Sequence, residues 1–130
     1  HMLADAPEQP MKGGFEMAED KLSFRFKPSF LTKSLYGDCP EGTYDYAVAH
    51  IGWQPLAPQT TPATLTGASD HLPRRYVFCT EDRAVAPAHQ RQMAAGFAPE
   101  ETVELPTGHS PFFSMPDRLA EVLADFADAT

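Results

Sequence analysis

Residues 75–126 read RYVFCTEDRAVAPAHQRQMAAGFAPEETVELPTGHSPFFSMPDRLAEVLADF. The opening residues 75–80 are apolar, β-branched and aromatic, as a short strand covered on both faces requires. Residues 84–97 are alanine-rich, with Val85, Met93 and Phe97 as apolar anchors, and predict a helix opening at Pro87. Residues 102–105 (TVEL) predict a second short strand. Residues 116–127 set Leu119, Val122, Leu123 and Phe126 at helical spacing behind Ser114 and Pro116, a helix start. Strand, helix, strand, helix in this order predicts a parallel βαβ unit, because parallel strands need a long crossover and a helix is the usual one. The expected fold class is α/β.

Upstream, the chain changes character. His1-Met2 reads as a cloning remnant, and residues 3–20, rich in Pro, Gly and acids, as an irregular lead-in. Over residues 21–36, Leu22, Phe24 and Phe26 alternate with Ser23 and Arg25. Pro28-Ser29 breaks the pattern and residues 30–36 follow as a second strand, so a hairpin is expected. Asp38-Cys39-Pro40-Glu41 reads as a helix start, with Asp38 or Cys39 at the cap and Pro40 in the first turn. The helix is expected to run to Ile51 and stop at Gly52. Residues 53–70, with Pro55, Pro58 and Pro62, read as a linker between two compositional halves. No internal repeat or low-complexity tract is apparent.

Composition narrows the function classes. With 130 residues, the chain holds one domain's worth of core. Eighteen acids against ten Lys and Arg give a net charge of −8, and no basic cluster is present, which argues against nucleic-acid binding. No apolar run is long enough for a membrane span, and no signal peptide opens the chain. Two cysteines, Cys39 and Cys79, cannot form a secreted disulfide framework. The expectation is an acidic, soluble, cytoplasmic protein.

Two residues stand just past the carboxyl ends of the expected strands, where open parallel sheets build their sites. Asp82 follows residues 75–80, and His109 follows residues 102–105. Neighbouring parallel strands would bring the two loops together, and Asp82 would then accept the Nδ1 proton of His109. That bond fixes the tautomer and stabilises the imidazolium. Gly108 is expected to let the backbone turn before the histidine. Spacing alone leaves a competing reading, two loop residues capping helix ends. His50, His71, His89 and His109 show no i,i+4 pair and no Cys-x-x-Cys partner, so no metal and no cofactor are expected. His89 is expected on the exposed side of its helix. Phe24, Phe26, Phe30, Tyr36, Tyr44, Tyr46 and Trp53 are expected to form a core.

The wording of the two loops is more specific than their spacing. Residues 74–126 resemble the last two strand–helix units of an α/β hydrolase, in the small esterase branch related to plant hydroxynitrile lyases and methylesterases. The carriers are the C-T-x-D-x-A wording at residues 79–84 and the G-H-S-P-F wording at residues 108–112. The resemblance implies that Asp82 is the acid and His109 the base of a Ser–His–Asp triad. Residues 34–58 (SLYGDCPEGTYDYAVAHIGWQPLAP) are similar to the same family's cap, so residues 3–70 are expected to form a cap or lid and residues 71–130 the C-terminal part of the core. The resemblance also implies an apolar acyl or alcohol pocket, lined by cap aromatics such as Trp53 together with Phe112 and Phe113.

The departure from the family pattern is the nucleophile. The Gly-x-Ser-x-Gly elbow is absent. The nearest approach, Gly67-Ala68-Ser69-Asp70-His71, has an imidazole where a tightly packed helix needs a small residue, and it lies in the linker. Ser69 therefore reads as a linker serine, Ser110 as a support of the histidine loop and Cys39 as a small residue at a helix start. All three remain nucleophile candidates, Cys39 because a helix N-terminus lowers a thiol's pKa. Cys79 reads as inert packing within its strand. Two strands with two helices leave a sheet edge uncovered, so a partner is expected: a second copy forming a dimer, or a separate chain supplying the N-terminal hydrolase half. The expected function is carboxylic-ester hydrolysis once the site is completed by another chain. The alternative is a non-catalytic truncated hydrolase acting as a small-molecule-binding or oligomeric module.

Overall fold

A computed structural model describes residues 13–129; the expected remnant at residues 1–2 and the first part, residues 3–12, of the lead-in expected over residues 3–20 lie outside the described residues. The second half follows the sequence closely. Strand β4 (Tyr76–Cys79) pairs in parallel with β5 (Thr102–Leu105), in a register that sets Tyr76 against Thr102 and Cys79 against Leu105. Between them runs helix α4 (Pro87–Met93), shorter than expected; it is followed by a 3-10 turn at Pro99–Glu101. After β5 comes a single turn, α5 (Pro111–Ser114), then helix α6 (Pro116–Asp128). Proline at the first turn of α4, α5 and α6 gives up an N–H that has no helical partner there and presets the helical φ. Helix α6 buries Val122 and half-buries Leu119 and Phe126, whereas Leu123 is exposed. His89, expected on the outer side of α4, is buried at 9% exposure, and its Nδ1 lies 3.3 Å from the Gln92 side-chain oxygen.

The first half departs further from expectation. Strand β2 (Ser23–Phe26) does pair in a hairpin, but with β1 (Phe15–Met17), inside the segment read as irregular. A two-residue strand, β3 (Gln54–Pro55), covers its other edge, so the order is β1-β2-β3, all antiparallel. Residues 30–36 are not a strand. Helix α1 (Pro28–Phe30) continues into a π-helical turn at Leu31–Leu35. Pro28 removes a ladder donor and starts the turn, and a helical path buries Phe30, Leu31 and Leu35 together against Ala84. Phe26, Tyr36, Tyr44 and Ile51 pack around them. Gly14 has to be glycine for this cluster, since a Cβ there would lie 2.5 Å from the Phe30 ring.

Helix α2 (Thr43–His50) starts later than expected. Gly42, at φ 86°, holds the N-cap position, not Asp38 or Cys39. Within residues 53–70, β3 and the single-turn helix α3 (Ala57–Thr60) are the regular elements, and the rest lacks regular structure as expected. No helix among the described residues is long and apolar enough to cross a membrane.

Candidate active site

The parallel pairing of β4 with β5 places the loops after both strands at one sheet edge. His109 Nδ1 lies 3.0 Å from Asp82 Oδ2 and donates to it. Asp82 is buried at 7% exposure, and its other oxygen accepts the backbone N–H of Ala84 at 2.7 Å and of Val85 at 2.9 Å. This Asx-type turn fixes the carboxylate before the histidine meets it. The His109 side chain is 37% exposed, and its Nε2 has no hydrogen-bond partner among the described residues. An imidazole held at Nδ1 by a carboxylate and open at Nε2 can take a proton at Nε2 and return it.

Sequence reading missed Gln90. This residue of α4 is 4% exposed, and its carboxamide faces the end of β4. Its oxygen accepts the Cys79 N–H at 3.0 Å, while its nitrogen donates to Cys79 O at 3.0 Å and to Val85 O at 2.9 Å. The same nitrogen lies 3.4 Å from Asp82 Oδ2. In a parallel ladder alternate residues present their backbone groups to the neighbour; Thr80 N–H donates to Leu105 O, so Cys79 faces the other way. The Gln90 amide occupies the place of a neighbouring peptide there. One signal was available: Gln90 stands three and seven positions before Met93 and Phe97, the helix's apolar anchors, which puts a polar residue on the apolar side of the helix.

A second group missed as a site feature is Asp38. Its Oδ2 accepts the Gly108 N–H at 2.6 Å and the Thr107 hydroxyl at 2.9 Å. Partial burial pushes this carboxyl up, but the hydrogen bonds from Gly108, Thr107 and Ser114 outweigh it and hold it below the usual carboxylate range. Gly108 is not among the positive-φ glycines, so the turn it was expected to permit is not its reason for being glycine.

Ser110 and Cys39 lie side by side and Ser69 lies elsewhere, and none of the three nucleophile candidates bonds His109 Nε2 among the described residues. Ser110 is 2% exposed, and its hydroxyl donates to Leu35 O at 2.8 Å. Cys39 is half-buried, its Sγ 3.9 Å from Asp38 Oδ1 and 4.0 Å from Ser110 O. Burial and the Asp38 charge push its thiol up, opposite to the lowering a helix N-terminus would produce. Ser69 lies in an exposed turn in which Leu72 N–H donates to its carbonyl. Cys79 is buried, and burial together with the Asp82 charge pushes its thiol up to about 11. Of the ring residues, Phe113 packs edge-on against Tyr36 and Tyr46, with centroids 6.0 and 6.1 Å away, while Phe112 is exposed. Trp53 stands apart in a cavity of about 340 Å³ with Phe24, Phe26 and Ile51, the Arg25 guanidinium 4.8 Å over its ring. A smaller polar cavity of about 80 Å³ borders Asp38, Glu81, Arg83 and Gly108. No group of three His, Cys, Asp or Glu among the described residues is placed to hold a metal.

Residues 2–122 match the alpha/beta hydrolase family, and the chain belongs to it. Its relatives are esterase-like. A pyrethroid hydrolase of Sphingobium wenxiniae is 40% identical over 100 residues, covering 76% of this chain and 36% of the relative. Methylesterase 7 of Arabidopsis thaliana is 31% identical over 107 residues, covering 79% of this chain and 41% of the relative. The solved structure of a pyrethroid hydrolase from Sphingobium faniae superposes with a TM-score of 0.77 at 26% identity, over 98% of this chain and 54% of that one. The chain therefore spans 36–41% of these curated relatives and about half of that solved chain, and it corresponds to the C-terminal portion of an esterase-like α/β hydrolase.

Proposed function

We propose that Asp82 and His109 are the acid and base of a Ser–His–Asp esterase site, acting on a small carboxylic ester. The carrying observation is the 3.0 Å bond from His109 Nδ1 to a buried, twice-anchored carboxylate, with Nε2 left open. The relatives named methylesterases support an ester substrate. In this reading Nε2 takes the proton of a serine hydroxyl as it attacks the ester carbonyl, then returns it to the leaving alcohol, while Asp82 stabilises the imidazolium. The nucleophile and the oxyanion donors come from a hydrolase half outside these residues, seated beside the two-stranded sheet. Phe112 and Phe113, next to the histidine loop, are assigned to the apolar pocket and the described part of residues 3–70 to the cap over it, while Trp53, expected in the same pocket, lines a separate cavity with Phe24, Phe26 and Ile51. The free thiols Cys39 and Cys79 suit a reducing compartment, and we assign the chain to the cytoplasm.

A second reading is a non-catalytic binding or oligomeric module, favoured by the exposed rings of Tyr46, Trp53 and Phe112. One experiment separates the two. p-Nitrophenyl acetate hydrolysis is followed with the chain alone and with the chain joined to a hydrolase half bearing a Gly-x-Ser-x-Gly elbow. The esterase reading expects turnover that needs both parts and falls by about a thousandfold or more in His109→Ala and Asp82→Ala. Turnover of the joined protein that survives His109→Ala refutes it. His109-dependent turnover by the chain alone would return the nucleophile to Ser110, Cys39 or Ser69. A well-folded dimer without turnover in either form supports the binding module.

A further inference from the structure

The loop that carries His109 is held from two sides. Asp82 holds the ring, while a segment about seventy residues upstream holds the backbone: Asp38 Oδ2 takes the Gly108 N–H at 2.6 Å and the Thr107 hydroxyl at 2.9 Å. The Thr107 hydroxyl also meets that of Ser114, which donates to Ser110 O at 3.2 Å. The carboxylate thus ends a chain of hydrogen bonds touching residues 107, 108, 110 and 114, on both sides of His109. Thr107 is 1% and Ser110 2% exposed, so the loop has little room to move except about these anchors.

The glycine beside the histidine is explained by the same contact. A Cβ on Gly108 would lie 2.5 Å from Asp38 Oδ1 and 2.9 Å from its Cγ. The φ of Gly108 is one that other residues adopt, so what excludes a side chain is the carboxylate pressed against its Cα. Asp38 itself is an exposed residue that caps no helix; its local contacts are its own backbone and the Cys39 thiol, 3.9 Å from Oδ1, and its bonds to Gly108 and Thr107 are the ones that reach the histidine loop.

The geometry points to Asp38 as a positioning residue for His109: by fixing Gly108 and Thr107 it aims Nδ1 at Asp82. Its consequence for catalysis rests on the esterase reading; the contact itself is tested without turnover. In the full chain, the proton between His109 Nδ1 and Asp82 is followed by NMR, as a downfield resonance and by its exchange with water. Asp38→Ala and Gly108→Ala are each expected to speed that exchange about tenfold or more, the scale of one charge-assisted hydrogen bond. Asp38→Asn keeps an acceptor for the Gly108 N–H and retains most of the protection. The double variant Asp38→Ala/Gly108→Ala exchanges no faster than either single one, since the new Cβ then has nothing to displace. Additive effects, or unchanged exchange in Asp38→Ala with the circular dichroism intact, overturn the proposal. Should Asp38→Ala fail to fold, unchanged exchange in Gly108→Ala overturns it alone. In the joined esterase, Asp38→Ala is expected to lower kcat at constant KM. An absence of esterase activity while the proton data hold refutes the esterase reading and leaves Asp38 in its role.

Discussion

Replacing Gln90 with leucine removes the carboxamide at nearly constant volume. Asp82 keeps three donors, from Ala84, Val85 and His109, and Cys79 O keeps the Asp82 N–H at 3.3 Å. Two groups lose their partner: the Cys79 N–H, which faces away from β5 in a residue 8% exposed, and the carbonyl of half-buried Val85. A buried backbone group without a partner costs about 1–3 kcal/mol, the more accessible carbonyl lying near the low end, so Gln90→Leu should destabilise by about 2–4 kcal/mol. Against a typical stability of about 5–15 kcal/mol this is a large share. With a slope of about 2 kcal/mol per M, the urea midpoint should fall by about 1–2 M with the slope unchanged. A midpoint within about 0.3 M of the parent, on the same slope, would refute the reasoning. Gln90→Glu is the sharper control. It keeps the acceptor for Cys79 N–H but turns an oxygen toward Cys79 O, Val85 O and Asp82, raising the new carboxyl's pKa in the folded state. Its deficit is therefore full at neutral pH and shrinks as pH falls through that raised value, where the carboxyl regains a proton to donate.

Leu105, 1% exposed at the end of β5, should cost about 2–5 kcal/mol as Leu105→Ala in urea unfolding; a cost under about 1 kcal/mol would mean the sheet end is not packed as described. The Asp38 carboxyl is held below its ordinary value in the folded chain, so its stabilisation is present above the ordinary carboxyl range and is lost as pH falls through the folded value. Asp38→Asn should flatten that acid limb in a pH series of unfolding midpoints, and an unchanged limb counts against the Gly108 and Thr107 bonds. Both thiols are pushed up, Cys79 to about 11, so at mildly alkaline pH a disulfide reagent should react slowly with native Cys39 and reach Cys79 only as urea unfolds the chain. Mass spectrometry of the labelled chain reads this, and rapid native labelling of Cys79 would contradict its burial.

Residues 75–126 made the second half legible because local pattern and tertiary demand agree there. A run such as Tyr76–Cys79 serves only as a covered strand, and Leu119, Val122 and Phe126 line one side of α6 at the spacing of its turns. In residues 13–42, pattern and demand conflict. Leu22, Phe24 and Phe26 predict one strand and residues 30–36 a second after the break at Pro28, yet Leu22 is 71% exposed and residues 28–35 coil into helical turns. Phe30, Leu31 and Leu35 suit either path by composition. What decided was Ala84, which arrives from the Asp82 loop to be covered by them.

The candidate site divides along the same line. Sequence by itself determined the α/β class, the parallel pair and the two loop residues, because a strand end, a glycine and a histidine are local facts and the C-T-x-D-x-A and G-H-S-P-F wordings are contiguous. Only the tertiary structure decided that Asp82 meets His109, that Gln90 stands in for a strand, and that Asp38, read as a helix cap, reaches Gly108 instead. Those contacts join residues from 8 to 70 positions apart, and polar side chains carry no periodicity that announces a partner so distant.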